Sequence, residues 1–176
     1  MGKIARLVRH DWPLHFVLLF TNWLPDNIVF LRLRGWLARP FFRSCGADLR
    51  LGRNVTFYNS SKIDLGQNIY IAYGCWISAG EEICIEDEVI FGPYCIISST
   101  NHSRARRSFR YGPPKQEAIR IGKGSWIASH VIITAGSEIG PGSLIAAGAV
   151  VNGKIAADSL AGGIPARFLK ELSDGE

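Results

Sequence analysis

Aliphatic residues recur at every sixth position across residues 121–151: Ile121, Ile127, Ile133, Ile139, Ile145 and Val151. The position after each is mostly small, as at Gly122, Ala128, Thr134, Gly140 and Ala146. A helix, with its period of about 3.6, would put residues six apart on opposite sides. A single strand would alternate with period two and turn after roughly five residues. A period of six fits short strands joined by tight bends, each flat of a prism supplying one inward anchor. Three such strands close a triangular coil, and the next coil stacks one strand spacing above it. The pattern predicts an all-β protein, a parallel β-helix with aliphatic columns, held by contact between neighbouring coils.

The same ruler finds earlier coils at Ile85, Phe91 and Ile97, at Leu65, Ile71 and Ile77, and more weakly at Cys45, Leu51 and Phe57. The early coils start twenty residues apart, at 45, 65 and 85, whereas Ile121 and Ile139 are eighteen apart. Two extra residues therefore sit at one corner of each early coil, near residues 61–63 and 81–83. About five coils are expected, ending at Val151, with residues 99–118 thrown out as a loop from one corner. Residues 3–42 read as helical, in apolar segments 12–24 and 28–42 split by Pro25-Asp26-Asn27, where Asp26 or Asn27 caps the second. The expected organisation is a helical cap over residues 1–44 and a β-helix domain over 45–162. Residues 163–176 then close the last coil, entered through Gly162-Gly163-Ile164-Pro165 and predicted as a short helix over 168–172.

A chain of 176 residues is one domain, and its 19 glycines suit a bend-rich β architecture. The net charge of +5 is unevenly placed: residues 1–50 and residues 103–120 each carry +5, leaving an acidic remainder. Basic patches attract phosphates of many kinds. Aromatic and basic residues do not interleave as in single-strand binders, so no nucleic-acid partner is expected. Cys45, Cys75, Cys84 and Cys95 form no CxxC or Cys/His cluster, so no metal site is expected. Cys75 and Cys95 lie one coil apart and should stack as small hydrophobes in a reducing cytoplasm. The apolar run 12–24 lacks a small-residue cleavage site and is too short to span a bilayer. Arg32, Arg34, Arg39 and Arg43 lie among Phe30, Leu31, Leu33, Trp36 and Leu37. Residues 1–43 therefore either only cap the first coil or also associate peripherally with an anionic membrane surface. The expected location is the cytoplasm, or the cytoplasmic face of the membrane.

Candidate chemistry gathers where the repeat breaks. A coil has no structural use for the polar run Ser98-Ser99-Thr100-Asn101-His102-Ser103, and His102 stands out in it. The basic loop Arg104, Arg106, Arg107 and Arg110 follows, either a solvated face or a holder of coenzyme or sugar-donor phosphates. Asn101, Glu81 and Trp76 are the candidate acceptor contacts, the last two near the extra-residue corner. Arg167 and Lys170 are placed to meet a phosphate.

The segments Ile121-Gly122-Lys123-Gly124-Ser125-Trp126-Ile127-Ala128-Ser129-His130-Val131, Ile145-Ala146-Ala147-Gly148 and Gly163-Ile164-Pro165-Ala166-Arg167 carry a family resemblance, as does the spacing from His102 to Trp126. Over residues 45–172 the chain resembles the hexapeptide-repeat acyltransferases, with galactoside and maltose O-acetyltransferases and the enzymes that acetylate bacterial surface polysaccharides as its nearest group. The Leu24-Pro25 helix entry is similar to the polysaccharide-modifying branch. The resemblance implies a left-handed coil, against the usual right-handed crossover rule. It also implies a homotrimer with active sites between subunits, acetyl-CoA as acyl donor and a sugar or glycan as acceptor. His102 matches the catalytic histidine of that family. Ser129, Ala147 and Asn152 match positions lining the acetyl-CoA groove, and Arg167 and Lys170 the region near the coenzyme phosphates. Two positions depart: Gly80, beside Glu81, stands where the galactoside enzymes place an acceptor-binding carboxylate, and Asn152-Gly153 replaces a Thr-Lys pair.

A sugar hydroxyl is a poor nucleophile at neutral pH, and imidazole is the side chain suited to take its proton. The expected chemistry is O-acetylation with His102 as base and no covalent acyl-enzyme. N-acetylation of a nucleotide-sugar amine is the alternative within the class. A γ-type carbonic anhydrase would need three histidines around zinc, but His102 and His130 are the only histidines in the repeat region. A non-catalytic scaffold would have no use for His102 beside a basic loop.

Overall fold

The computed structural model describes residues 2–175 and stacks the anchors in three columns, one per face. Face A holds Ser44–Cys45, Ile63–Leu65, Ile83–Ile85, Ile119–Ile121, Glu138–Ile139 and Lys154–Ile155. Its anchors Cys45, Leu65, Ile85, Ile121, Ile139 and Ile155 sit in register, one above the next. Face B holds Arg50–Leu51, Tyr70–Ile71, Ile90–Phe91, Trp126–Ile127, Leu144–Ile145 and Ser159–Gly162, anchored by Leu51, Ile71, Phe91, Ile127, Ile145 and Ala161. Face C holds Thr56–Tyr58, Trp76–Ser78, Ile96–Ser98, Ile132–Ile133 and Val150–Val151. All of these pairings are parallel, and the anchors form one continuous core.

The period of six has a backbone cause. Three residues after each face A anchor the chain turns through a left-handed residue: Asp48, Asn68, Glu88, Gly124, Gly142 and Asp158. The corner between faces B and C does the same three residues after its first five anchors, at Asn54, Gly74, Tyr94, His130 and Gly148. Glycine, asparagine and aspartate adopt this conformation most readily, which accounts for most of that column. The corner from face C to face A is longer in coils one and two, and Ser60–Lys62 forms a single 3₁₀ turn there.

The repeat runs further than its ruler. Beyond Val151 the chain turns within Asn152-Gly153 and adds strands to faces A and B, giving two sides of a sixth coil. The anchor spacing drops there from six to four, so Ile155 escapes a six-residue count. The end is also different: residues 168–172 are not a helix. Arg167–Glu171 is a strand, antiparallel to Ser159–Gly162. Face B would otherwise end in an unpaired edge, and the reversal through Gly163 and Pro165 lays the chain along it.

The first coil is closed by α1 (Lys3–Arg6), a π-helical turn (Leu7–Asp11), α2 (Trp12–Thr21) and α3 (Ile28–Ala38). Asn27 caps α3, its Oδ1 accepting from the Val29 and Phe30 amides at 3.1 Å each. Leu14, Leu18, Ala38 and Phe42 enter the prism core. Arg34 is buried at 1% exposure. It donates to the Leu51, Thr21 and Leu24 carbonyls and to Asp26, tying both helices to the open coil.

The three outer faces differ. Face A is charged, with Arg120 on Glu86 and Lys154 on Glu138. Faces B and C carry exposed Ile90, Trp126, Trp76, Ile96 and Ile132. Inside, Cys75 and Cys95 both point their Sγ at the Gly92 carbonyl, 3.2 Å away. A hydrogen bond to Cys95, together with burial, holds the Cys75 thiol well above its ordinary range.

Candidate active site

The interruption is a β-hairpin. Thr100–His102 pairs antiparallel with Pro114–Gln116, setting Thr100 opposite Gln116, Asn101 opposite Lys115 and His102 opposite Pro114. Its root is fixed by Ser99, fully buried, whose Oγ accepts from the Glu81 amide (2.9 Å) and donates to the Glu81 carbonyl (2.7 Å). The returning Glu117 amide bonds the Ser99 carbonyl at 3.2 Å, so the chain leaves and re-enters the coil at one point. At the far end of the pair Ser103 Oγ donates to the Pro113 carbonyl. His102 thus stands exposed near the middle of a braced arm.

Gly80 lies under that root. A Cβ there would fall 1.7 Å from Thr100 Oγ1, so a carboxylate cannot occupy this position without displacing the Thr100 side chain. Glu81 lies beside it, 3.8 Å from Lys62, whose ammonium also bonds the Gly80 carbonyl. Arg6, Asp11, Lys62, Gly80 and Gln116 line a cavity of about 280 Å³ between the cap and the hairpin root. Asp11 is held in place by the Ser60 amide at 2.9 Å. The sequence does not single out Arg6, Asp11 or Gln116, which come together from opposite ends of the first 116 residues. Beyond His102 the hairpin tip exposes Arg104, Arg106, Arg107 and Arg110, none with an acidic partner among the described residues.

The positions matched to a coenzyme groove lie mostly elsewhere. Ser129 and Ala147 stack on the corner between faces B and C, linked through the Gly148 amide to the Ser129 carbonyl at 3.0 Å. Arg167 sits opposite Gly162 at the end of that corner, with Lys170 further along the same strand opposite Leu160. Gly148 opens onto free space, so this edge is a ledge with small side chains and a cation at one end. Below it Tyr73, Tyr94 and His130 form a ladder, with ring centroids 5.4 and 5.2 Å apart. Tyr94 and His130 both follow their anchors by three residues but Tyr73 follows Ile71 by two, so no single offset in the sequence runs through the ladder.

Within one chain the two groups do not meet. His102, Asn101, Glu81 and, two coils higher, Asn152 lie on the corner between faces C and A. Ser129, Ala147 and Arg167 lie on the other side of face C, on the order of 15 Å away at about 3.3 Å per strand residue. Trp76 stands on the outer surface of face C, its ring 5.6 Å from that of Tyr58. No group of three or more His, Cys, Asp or Glu side chains able to hold a metal ion occurs among the described residues.

Comparison with known proteins agrees with this architecture. The family described as bacterial transferase hexapeptide (six repeats) matches residues 118–153. A galactoside O-acetyltransferase of Escherichia coli is 31% identical over 138 residues, covering 78% of this chain and 68% of the relative. A galactoside acetyltransferase solved in complex with coenzyme A superposes with a TM-score of 0.83 at 27% identity, over 99% of this chain and 85% of the other. A hexapeptide-repeat acetyltransferase of Vibrio cholerae, solved with acetyl coenzyme A, gives the same TM-score and identity over 99% and 93%.

Proposed function

Because the chain belongs to the hexapeptide-repeat acyltransferases, we propose that it moves an acetyl group from acetyl-CoA to a sugar hydroxyl, in the making of a surface polysaccharide or glycoconjugate. The observation that carries this is His102, an exposed imidazole on an arm rooted by buried Ser99 at the one break in the repeat. Relatives named for galactoside acetylation and for coenzyme A supply the acceptor class and the donor.

In this mechanism one ring nitrogen of His102 takes the proton of the acceptor hydroxyl as its oxygen attacks the thioester carbonyl. Backbone amides along the coil edge stabilise the oxyanion that develops. The protonated ring of His102 then returns its proton to the departing coenzyme thiolate, and no bond to the protein forms. The ledge at Ser129 and Ala147 takes the extended arm of the coenzyme, and Arg167 and Lys170 lie toward its phosphates. Asn101 and Glu81 face the acceptor, and the cavity at Arg6, Asp11 and Gln116 gives a sugar room beside the arm.

A trimer completes the site in this scheme. The arm of one chain and the ledge of another meet when faces B and C of neighbouring prisms pack together. Their exposed apolar residues, set against a charged face A, support that arrangement.

His102→Ala tests the mechanism. Acetyl-CoA binding, read by a thermal shift, is expected to persist, while turnover on a galactoside falls about 10²-fold or more. Turnover near the wild-type rate would remove His102 from the chemistry.

A further inference from the structure

The helical cap is apolar on two sides. α2 buries Leu14, Leu18 and Thr21 against the first coil. Its opposite side exposes Trp12, Phe16, Leu19 and Phe20, and Trp23 follows in the turn after it, with Phe20 at 69% and Trp23 at 79%. The spacing follows helical turns, and Val8 and Ile4 extend the stripe toward the N-terminus. A surface helix normally turns charged or polar residues to water, and α2 has only His15 to offer. Past Pro25, α3 adds exposed Val29 and Trp36. Contiguous apolar surface of this extent marks a place of contact.

Charge identifies the occupant. Arg32, Arg34 and Arg43 are held by Asp48, Asp26 and Asp64. Arg6 and Arg9, beside the stripe, have no acidic partner among the described residues. At the C-terminal end of α3 a cavity of about 570 Å³ is lined by Trp36, Leu37, Pro40 and Phe42 with Arg39 and the acid-paired Arg43. No helix of the described residues is long and apolar enough to cross a membrane, so contact is with a surface.

We propose that the outer face of the cap is a seat for an anionic phospholipid bilayer. Trp12, Phe16, Phe20 and Trp23 enter the boundary between headgroups and acyl chains, and Arg6 and Arg9 meet lipid phosphates. This surface adjoins the proposed acceptor cavity only at Arg6, and its test needs no acetyl-CoA, so either can fail without the other.

The test is sedimentation of the full chain with vesicles of phosphatidylglycerol and phosphatidylcholine in equal parts, and with phosphatidylcholine alone. The protein is expected to pellet with the anionic vesicles at low salt, and about tenfold less with neutral ones or at high salt. The variant F16S/F20S/W23S should stay in the supernatant with unchanged melting midpoint and unchanged mass by light scattering. Arg6→Gln and Arg9→Gln should each weaken anionic binding about fivefold. A wild-type chain that remains in the supernatant at low salt would overturn the proposal. So would a fall in mass of the serine variant, since a second copy would then be what covers the face.

Discussion

At the scale of single residues, Gly80 is where close approach decides chemistry. Any side chain there meets Thr100 Oγ1 at the foot of the arm that carries His102. Gly80→Ala should therefore cost about 1–3 kcal/mol in urea unfolding, as overpacking does, and lower turnover. Adding Thr100→Ala should restore part of both, and full tolerance of Gly80→Ala would contradict the clash. Asp48 is a second such point, since its carboxyl links Arg32 of α3 to Arg50 of the first coil. Hydrogen bonds from Arg50 and then Arg32 hold it down at about 2, below its ordinary value. A carboxyl depressed in the folded state stabilises above its unfolded value and loses that contribution as pH falls. Between about pH 4 and pH 2 the wild type should thus lose stability that Asp48→Asn never had. The partners are partly solvated, so about 1 kcal/mol or less is expected in urea midpoints compared across that window.

Among the elements, the cap is tied to the first coil by Arg34 as well as by its apolar contacts. Its guanidinium takes carbonyls from α2, the turn after it and the first coil at once. Arg34→Ala takes this donor from the Leu51 and Leu24 carbonyls, while Asp26 keeps the Arg53 amide and Thr21 the Leu24 amide, and about 2–4 kcal/mol of stability should go with it. Arg34→Lys should recover only part, because one ammonium cannot span that fork. Chemical denaturation of both variants checks the order. The sequence showed four arginines among apolar residues but gave no sign that one was interior, because its partners are backbone atoms far along the chain. The six-residue ruler read the coils well wherever the bend holds its left-handed residue three places after the anchor. It lost Ile155 where a bend shortened to Asn152-Gly153. It also missed the strand Arg167–Glu171, where Phe-Leu-Lys-Glu suits a helix locally but an open edge of face B offers pairing. The arm bearing His102 was legible because it breaks the pattern; the cavity beside it was not, since Arg6, Asp11 and Gln116 follow no period.

For the whole molecule, the separation of His102 from Ser129 and Ala147 by face C is the central fact. In the proposed scheme one chain does not bring both to one thioester, so activity should require assembly. Light scattering is expected to give three chains per particle. Trp126→Asp with Ile132→Asp places charge on faces B and C and should yield monomers. Those monomers should retain their β-rich circular dichroism and lose acetyl transfer, although His102 is untouched. Active monomers would show that one chain builds the site alone.

The hairpin that carries the imidazole has a consequence for how such enzymes diversify. Its two ends meet at Ser99 and Glu117, and Ile83–Ile85 pairs directly with Ile119–Ile121 as though nothing lay between. The tip can therefore be lengthened, shortened or rewritten as an interchangeable attachment while the stack beneath keeps its hydrogen bonds.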